Sequence, residues 1–444
     1  MGVRHIRYAG LLSLISLAVF PAVQAQTPAA PALPTAEQTD PVKLGWMLGA
    51  PPPPDKVVRW ADGSFYTFPK FRWTFSHARE LIATSNVSRG LAAPSLLPRA
   101  ERGDLDALTF TPLGKTETMT WAQAFSANFT DGIVVLHRGR VVYERYAGAL
   151  THSGQHSAQS VTKSFFGTIG AMLVAEGKLD ASAKVAQYIP ELKDSAFGDA
   201  TVRQVLDMTT SLKYSENYAD PNAEIWNHVR AGNVLPRPPG YQGPRSFYDF
   251  LKTVQKEGEH GQAFAYKTVN SDVLGWLIRR VSGKSVGENL SERIWSKLGM
   301  EQDAYIAIDT EGTEFAGGGL NTGLRDLARF GEMMRNEGRF NGQQVIPKAV
   351  IDDIRGGADK EHFAKAGYAT LPGGSYRNMW WVLHNLDGAY AARGIHGQAI
   401  YIDPKAEMVI AHYASFPMAA NGFNDPTSLP AYQALANMLI ADPR

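Results

Sequence analysis

The sequence predicts an α+β fold: an antiparallel β-sheet flanked by helices, with a mostly α-helical region inserted between its early and late strands. Three observations carry this. The stretch "GIVVLHRGRVVYERYAG" (Gly132 to Gly148) holds two β-rich runs around Arg138, Gly139 and Arg140, a hairpin signal. Near the other end, "QAIYIDP" and "MVIAHYAS" read as short strands joined by a turn at Asp403 to Glu407. Between these, from about Asp180 to Met300, helical periods alternate with polar loops. An early hairpin and late strands complete one sheet.

The N-terminus reads differently. Arg4, His5 and Arg7 precede an apolar run from Ala9 to Val19, and "PAVQA" offers Val23 and Ala25 as small residues at a cleavage site. Residues 1–25 have the layout of a secretory signal peptide cut after Ala25. The run is short for a span, which needs about 20 apolar residues. The expectation is therefore a periplasmic or secreted protein with no stable membrane anchor after cleavage. Residues 26–58 contain "QTPAAPALPTAEQTDP" and "PPPP" and read as a Pro/Ala-rich linker. Residues 59–130 include "RWADGSFYTFPKFRWTFSHARELI", too apolar to be disordered, and are expected to pack as an extension on the main domain, 131–444.

Past the hairpin, "VTKSFFGTIGAMLVAEG" is a helix with Gly177 as C-cap. "NSDVLGWLIRRVSG" is a second, capped by Asn270 or Ser271, and "NTGLRDLARFGEMMRNEG" a third. "AYQALANMLIA" (Ala431 to Ala441) closes the chain. The absence of cysteine excludes disulfides, thiol nucleophiles and Cys-ligated metals. A net charge of +1, with no basic stripe, gives no reason to expect nucleic acid or an anionic membrane as partner.

Chemistry concentrates at "SAQSVTKSFFG", which holds the one S-x-x-K of the chain, Ser160 and Lys163. Residues three apart on a helix share a face, about 5–6 Å apart at Cβ. A serine at the first turn meets unpaired N–H groups and a positive dipole end, which favour an oxyanion. Lys163 is a base only if burial lowers its pKa from the usual ~10.4. The plain alternative is Ser160 as an N-cap and Lys163 as an exposed first-turn lysine. The helix that follows is apolar nearly all round and so buried, which partly desolvates the lysine. Tyr266 in "FAYKTVNSDVLGW", just before a helix, is a candidate proton relay or an ordinary core tyrosine, and Tyr218 in "YSENYADP" is a second phenol in a polar loop.

Two motifs mislead. "GKSVG" fits G-x-S-x-G, but a helix precedes it where the nucleophile elbow needs a strand. Gly283 is better read as a C-cap and Ser285 as the next helix's cap. "AGGGL" (Ala316 to Leu320) lacks the spacing and lysine of a phosphate loop and reads as a tight turn near the site. Among 11 histidines none forms H-E-x-x-H, and no metal or organic cofactor is expected. Trp380 and Trp381 either line a pocket or pack on opposite faces of a strand.

In this order, "SVTKSFFG", "DMTTSLKYSENYADP", "YKTVNSDVLGW", "GGGLNTGLRDLARFGEMM" and "GIHGQAIYIDP" resemble the serine β-lactamase-like superfamily. That group includes class C β-lactamases, D,D-peptidases, esterases and 6-aminohexanoate-dimer (nylon oligomer) hydrolases, and the likeness is strongest to the last. It runs from Asp131 to the end and implies the β-lactamase/transpeptidase-like fold. It also implies roles: Ser160 as acylated nucleophile, Lys163 as base, Tyr266 as proton relay to the leaving group. The backbone N–H groups of Ser160 and Ile395 would form the oxyanion hole. Tyr218 matches the loop tyrosine that meets the substrate amide, and His396, Gln398 and Trp380 are further candidates, outside the resemblance, for touching substrate. The chain departs from the pattern where "ARGIHGQ" replaces K-T-G and Tyr266-Lys267-Thr268 replaces Y-x-N. His396 and Arg393 are the candidates for the missing cation that would hold a β-lactam carboxylate. Val229 stands where the nylon-oligomer enzyme has an acidic residue. The expectation is a secreted hydrolase of small-molecule esters or amides. A β-lactamase or D,D-peptidase, and a non-catalytic binding protein of the same fold, are the alternatives.

Overall fold

Thr130–His137 is buried along its whole length because it lies at the inside of a covered sheet. It pairs antiparallel with Arg140–Tyr146 across a turn in which Arg138 and Gly139 have φ of 53° and 74°. On its other side lies Met408–Ala414, with His412 opposite Ile133. Gln398–Asp403, Tyr390–Gly394, Trp380–Val382 and Ser375–Arg377 then follow in space, giving a seven-stranded antiparallel sheet. The first hairpin and the last strands are therefore neighbours, as the sequence predicts. The computed structural model describes Gly2 and residues 33–442, and described residues from Thr35 onward form one compact unit. The expected signal segment lies, Gly2 apart, outside the described residues.

Strand period two divides the core. Val134 and Leu136 face the helices Val161–Ala175 and Leu324–Arg335 and pack with Phe165, Ile169 and Phe330. Ile133 and Val135 face the other way, onto Trp121, Tyr432 and Leu435 of the helices Trp121–Ala127 and Asp425–Ala441. Both faces being covered explains the apolar run "GIVVL". The Ser160 helix, Val161–Ala175, sits hard against its surroundings: a Cβ on Gly167 would lie 2.1 Å from the carbonyl oxygen of Asn378.

A second sheet was not foreseen. Thr84–Val87, Ala304–Ala307, Leu320–Gly323 and Gln155–Ser157 pair antiparallel in that spatial order. The extension thus contributes an edge strand as well as packing. Arg72 anchors it: 2% exposed, its guanidinium donates to Ser415 Oγ at 3.0 Å and lies 3.4 Å from Asp131. The same guanidinium donates to Ala36 O at 2.6 Å and Thr39 Oγ1 at 2.9 Å, and Thr39 is buried. The linker reading of 26–58 is corrected over residues 35–58, which form turns held by these bonds and by Trp46 and Met47 packing near Val58 and Trp73.

Helix limits shift for local reasons. Val269–Ser282 is preceded by Thr268, whose side chain makes no capping bond, and neither Asn270 nor Ser271 caps it because both are buried within the helix. The third predicted helix starts at Leu324, since Leu320–Gly323 is spent on strand pairing. The last begins earlier, at Asp425, and carries Pro430 inside. Gly283 has φ +70° at a C-cap, and Ser285 with Glu288 forms a capping box, so "GKSVG" is a helix junction.

Candidate active site

Ser160 is the N-terminal flanking residue of its helix, but its side chain makes no capping hydrogen bond. The hydroxyl is used elsewhere: Lys163 Nζ donates to Ser160 Oγ at 2.8 Å. Lys163 is 1% exposed, and its ammonium also donates to Gly317 O. Burial pulls its pKa from 10.5 down to about 8, against the opposing pull of the Glu216 and Asp272 carboxylates. The ammonium lies 5.1 Å from the centre of the Tyr266 ring. Burial, then the Glu216 carboxylate, push the Tyr266 phenol well above its usual range, while a hydrogen bond with Ser160 pulls the other way. The structure therefore brings Ser160, Lys163 and Tyr266 together, with a lysine that gives up its proton near pH 8 and a phenol that keeps its own.

The three come from separate elements. Lys163 follows from the helix period. Tyr266 precedes the helix Val269–Ser282, which packs on the Ser160 helix. Its ring stacks on Trp381, with centroids 5.4 Å apart and planes 26° from parallel, and meets Tyr376 edge-on at 6.0 Å. Gly394, the end of a large-sheet strand, runs beside Ser160: a Cβ there would come 2.9 Å from Ala158 O and 3.0 Å from Ser160 N. Ile395 follows it and lines the same cavity as Ser160.

That cavity opens directly beside Ser160. Its walls come from the extension (Phe65, Tyr66, Phe75, Ile82), from Glu224–Ala231 and the loop after it (Ile225, Trp226, Val229, Leu235), and from Phe315 and the glycines 317–319. The glycine run read as a turn near the site is thus part of its wall. Tyr218 also lines the cavity, and its hydroxyl donates to Glu216 Oε1 at 2.7 Å.

Four expectations are corrected. Trp380 is fully buried under the Ser160 helix and donates to Thr168 Oγ1 at 3.0 Å, so strand alternation gives the position beside Tyr266 to Trp381 instead. His396 does not line the cavity. Its ring is buried against Phe71 and Phe75, Nδ1 lies 2.7 Å from Phe416 O, and burial lowers its pKa to about 4. Gln398 does not line it either: its amide bridges Ile395 O at 3.1 Å and the Ala414 backbone. It braces the turn that carries Ile395. Arg393 is ion-paired with Asp425, lies over Trp381 and does not line the cavity.

Sequence reasoning missed two carboxylates. Glu216 accepts from Thr268 N at 2.7 Å and Thr268 Oγ1 at 2.6 Å, joining the Tyr218 loop to the helix after Tyr266. Its position two residues before Tyr218 was the available signal. Asp272 accepts from Gly317 N at 3.1 Å, which aims the Gly317 carbonyl at Lys163, and its other oxygen lies 2.9 Å from His228 Nε2. A carboxylate inside the apolar run "NSDVLGWLI" was its signal.

Comparison with known proteins gives the family. The family model described as β-lactamase matches residues 122–422. The 6-aminohexanoate-dimer hydrolase of Paenarthrobacter ureafaciens is 35% identical over 355 residues, 80% of this chain and 88% of that protein. A solved structure from Bacillus anthracis, named for 6-aminohexanoate-dimer hydrolase, superposes with a TM-score of 0.78 at 34% identity, covering 87% of this chain and 98% of that one. EstCE1, a hydrolase with promiscuous acyltransferase activity, shares the fold alone: TM-score 0.55 at 15% identity, over 71% of this chain and 96% of that one. The chain belongs to the β-lactamase family and is a hydrolase of the β-lactamase fold.

Proposed function

We propose that the protein hydrolyses carboxylic esters or small amides through an acyl-enzyme on Ser160. The observation that carries this is the 2.8 Å contact between Lys163 Nζ and Ser160 Oγ, made by a buried lysine whose pKa is about 8. Neutral Lys163 takes the Ser160 proton as Oγ attacks the carbonyl carbon. The backbone N–H groups of Ser160 and Ile395 hold the oxyanion, as two donors at about 2.7–3.1 Å require. Tyr266 gives its proton to the leaving alkoxide or amine and is recharged from Lys163. Water then attacks the ester on Ser160, its proton passes to Lys163, and Lys163 returns that proton to Ser160 Oγ as the C–O bond breaks and the acid leaves. Tyr218, on the cavity wall, is placed to meet the substrate. No step calls for a metal, and among the described residues no cluster of three or more acidic or histidine side chains is arranged to hold one.

Esters and amides are favoured over penicillins because, of the two candidates for holding a β-lactam carboxylate, Arg393 is paired with Asp425 and His396 is buried, neutral and bonded to Phe416 O. The relatives' 6-aminohexanoate dimer is not the proposed substrate, since Val229 offers no charge to a terminal ammonium. The test is side-by-side turnover of p-nitrophenyl esters, nitrocefin and 6-aminohexanoate dimer, with fluorophosphonate labelling. Ester turnover and labelling, both lost in Ser160→Ala, are expected. Rapid nitrocefin turnover would overturn the preference. A folded protein that takes no label would be a binding protein.

The proposal includes export, with residues 1–25 removed. N-terminal sequencing of the mature protein should begin at Gln26, and an intact Met1 or Gly2 would contradict it. Among the described residues no helix is long and apolar enough to cross a membrane.

A further inference from the structure

We infer that the cavity beside Ser160 is the site for the acyl half of the substrate and that it selects neutral, apolar acyl chains over charged ones. This rests on the hydrolysis proposed at Ser160 and adds the substrate class.

The first step is orientation. The leaving group must reach Tyr266, which protonates it. Tyr266 is absent from the cavity wall and sits among Trp381 and Tyr376, which are absent from it too. Ser160 and Ile395 are on the wall. A carbonyl at Ser160 with its leaving group toward Tyr266 therefore points its remaining substituent, the acyl chain, into the cavity.

The second step is chemistry. Among the described residues that line the cavity, none carries a formal charge. The wall beyond Ser160 is made by such groups as Phe65, Phe75, Ile82, Ile225, Val229 and Leu235. Nearby ionised groups are spent: Glu216 accepts from Thr268 and Tyr218, and Arg393 pairs with Asp425. A chain ending in an ammonium or carboxylate would lose its water there without gaining a partner, whereas each methylene gains from leaving water.

The third step is rigidity. Phe65 and Phe75 are buried, Phe75 stacks on Phe71 at 5.0 Å, and the segment is tied down through Arg72. The extension thus builds a preformed wall, not a covering that must order around each substrate.

The test holds the leaving group constant. The p-nitrophenyl esters of acetate, hexanoate, 6-aminohexanoate and adipate (free carboxylate at the far end) are compared by kcat/KM at pH 7. Hexanoate should exceed acetate at least tenfold and each charged chain of like length at least a hundredfold. Leu235→Asp puts a carboxylate on the half-buried part of the wall and should narrow the ratio of hexanoate to 6-aminohexanoate at least tenfold. Similar rates for hexanoate and the charged chains, or acetate equal to hexanoate, would overturn the inference and leave the hydrolysis standing. If no ester is turned over and Ser160 takes no fluorophosphonate, the reaction itself is wrong and the inference falls with it.

Discussion

Replacing Lys163 by methionine removes a charge that the fold holds at a cost, and the cost has a pH signature. The ammonium is buried and its pKa falls from 10.5 to about 8. At 1.36 kcal/mol per pKa unit, the folded state disfavours the protonated lysine by about 3 kcal/mol. Below pH 8 both folded and unfolded chains carry the proton and the full cost is present. Between about pH 8 and 10.5 the folded protein has released a proton that the unfolded chain still binds, so stability from this group rises with pH. Methionine lacks this term but leaves the Gly317 carbonyl without its donor, a pH-independent loss of about 1–3 kcal/mol. At pH 7 the variant should therefore be as stable as wild type or up to about 2 kcal/mol more stable. By pH 10 that advantage should fall by about 2–3 kcal/mol. Urea unfolding of both proteins at the two pH values, followed by tryptophan fluorescence, measures the difference directly. A stability difference that does not change with pH would refute the reasoning, because Lys163 would then titrate as an ordinary surface lysine. The variant should also lose about 10²–10⁴ in kcat.

Other outcomes follow from the same geometry. Log kcat/KM should rise with pH and level off near pH 8 as Lys163 becomes neutral; in Glu216→Gln the inflection should move to lower pH, because that carboxylate holds the lysine proton on. An unmoved inflection would remove Glu216 from the electrostatics of the site. Gly394→Ala puts a methyl 2.9 Å from Ala158 O and 3.0 Å from Ser160 N, both backbone atoms, and should cut kcat in ester hydrolysis about 10²–10³-fold, the scale of losing one oxyanion donor. Trp380→Phe should cost about 2–4 kcal/mol of stability, through the cavity left by the smaller ring and the lost bond to Thr168, while leaving KM unchanged, as unfolding curves and ester kinetics will show. A raised KM would put Trp380 back at the substrate.

Much of the catalytic region was readable because its signals are local. The Ser160–Lys163 spacing, the apolar helix after it, the Arg138-Gly139 turn and the last two strands each fit within a dozen residues. What was missed depends on distant partners. Residues 35–58 look like linker by composition, and only the side chain of Arg72 shows why they pack. Leu320–Gly323 looks like the start of a helix until Gln155–Ser157 and Ala304–Ala307 are beside it. Trp380 and Trp381 differ only in strand phase, and period two decides which reaches Tyr266. His396 lies on a conspicuous motif, but its φ of +63° and its bond to Phe416 turn the ring into the core. Glu216 and Asp272 act through Thr268 and Gly317, contacts that no spacing rule encodes.

The central claim is a covalent intermediate on Ser160. Wild-type protein mixed with p-nitrophenyl hexanoate, quenched in acid during turnover and digested for mass spectrometry, tests it most directly. The account predicts one hexanoyl group on the peptide that contains Ser160, and neither adduct nor turnover in Ser160→Ala. Turnover with Ser160 unmodified and with Ser160→Ala still active would contradict it.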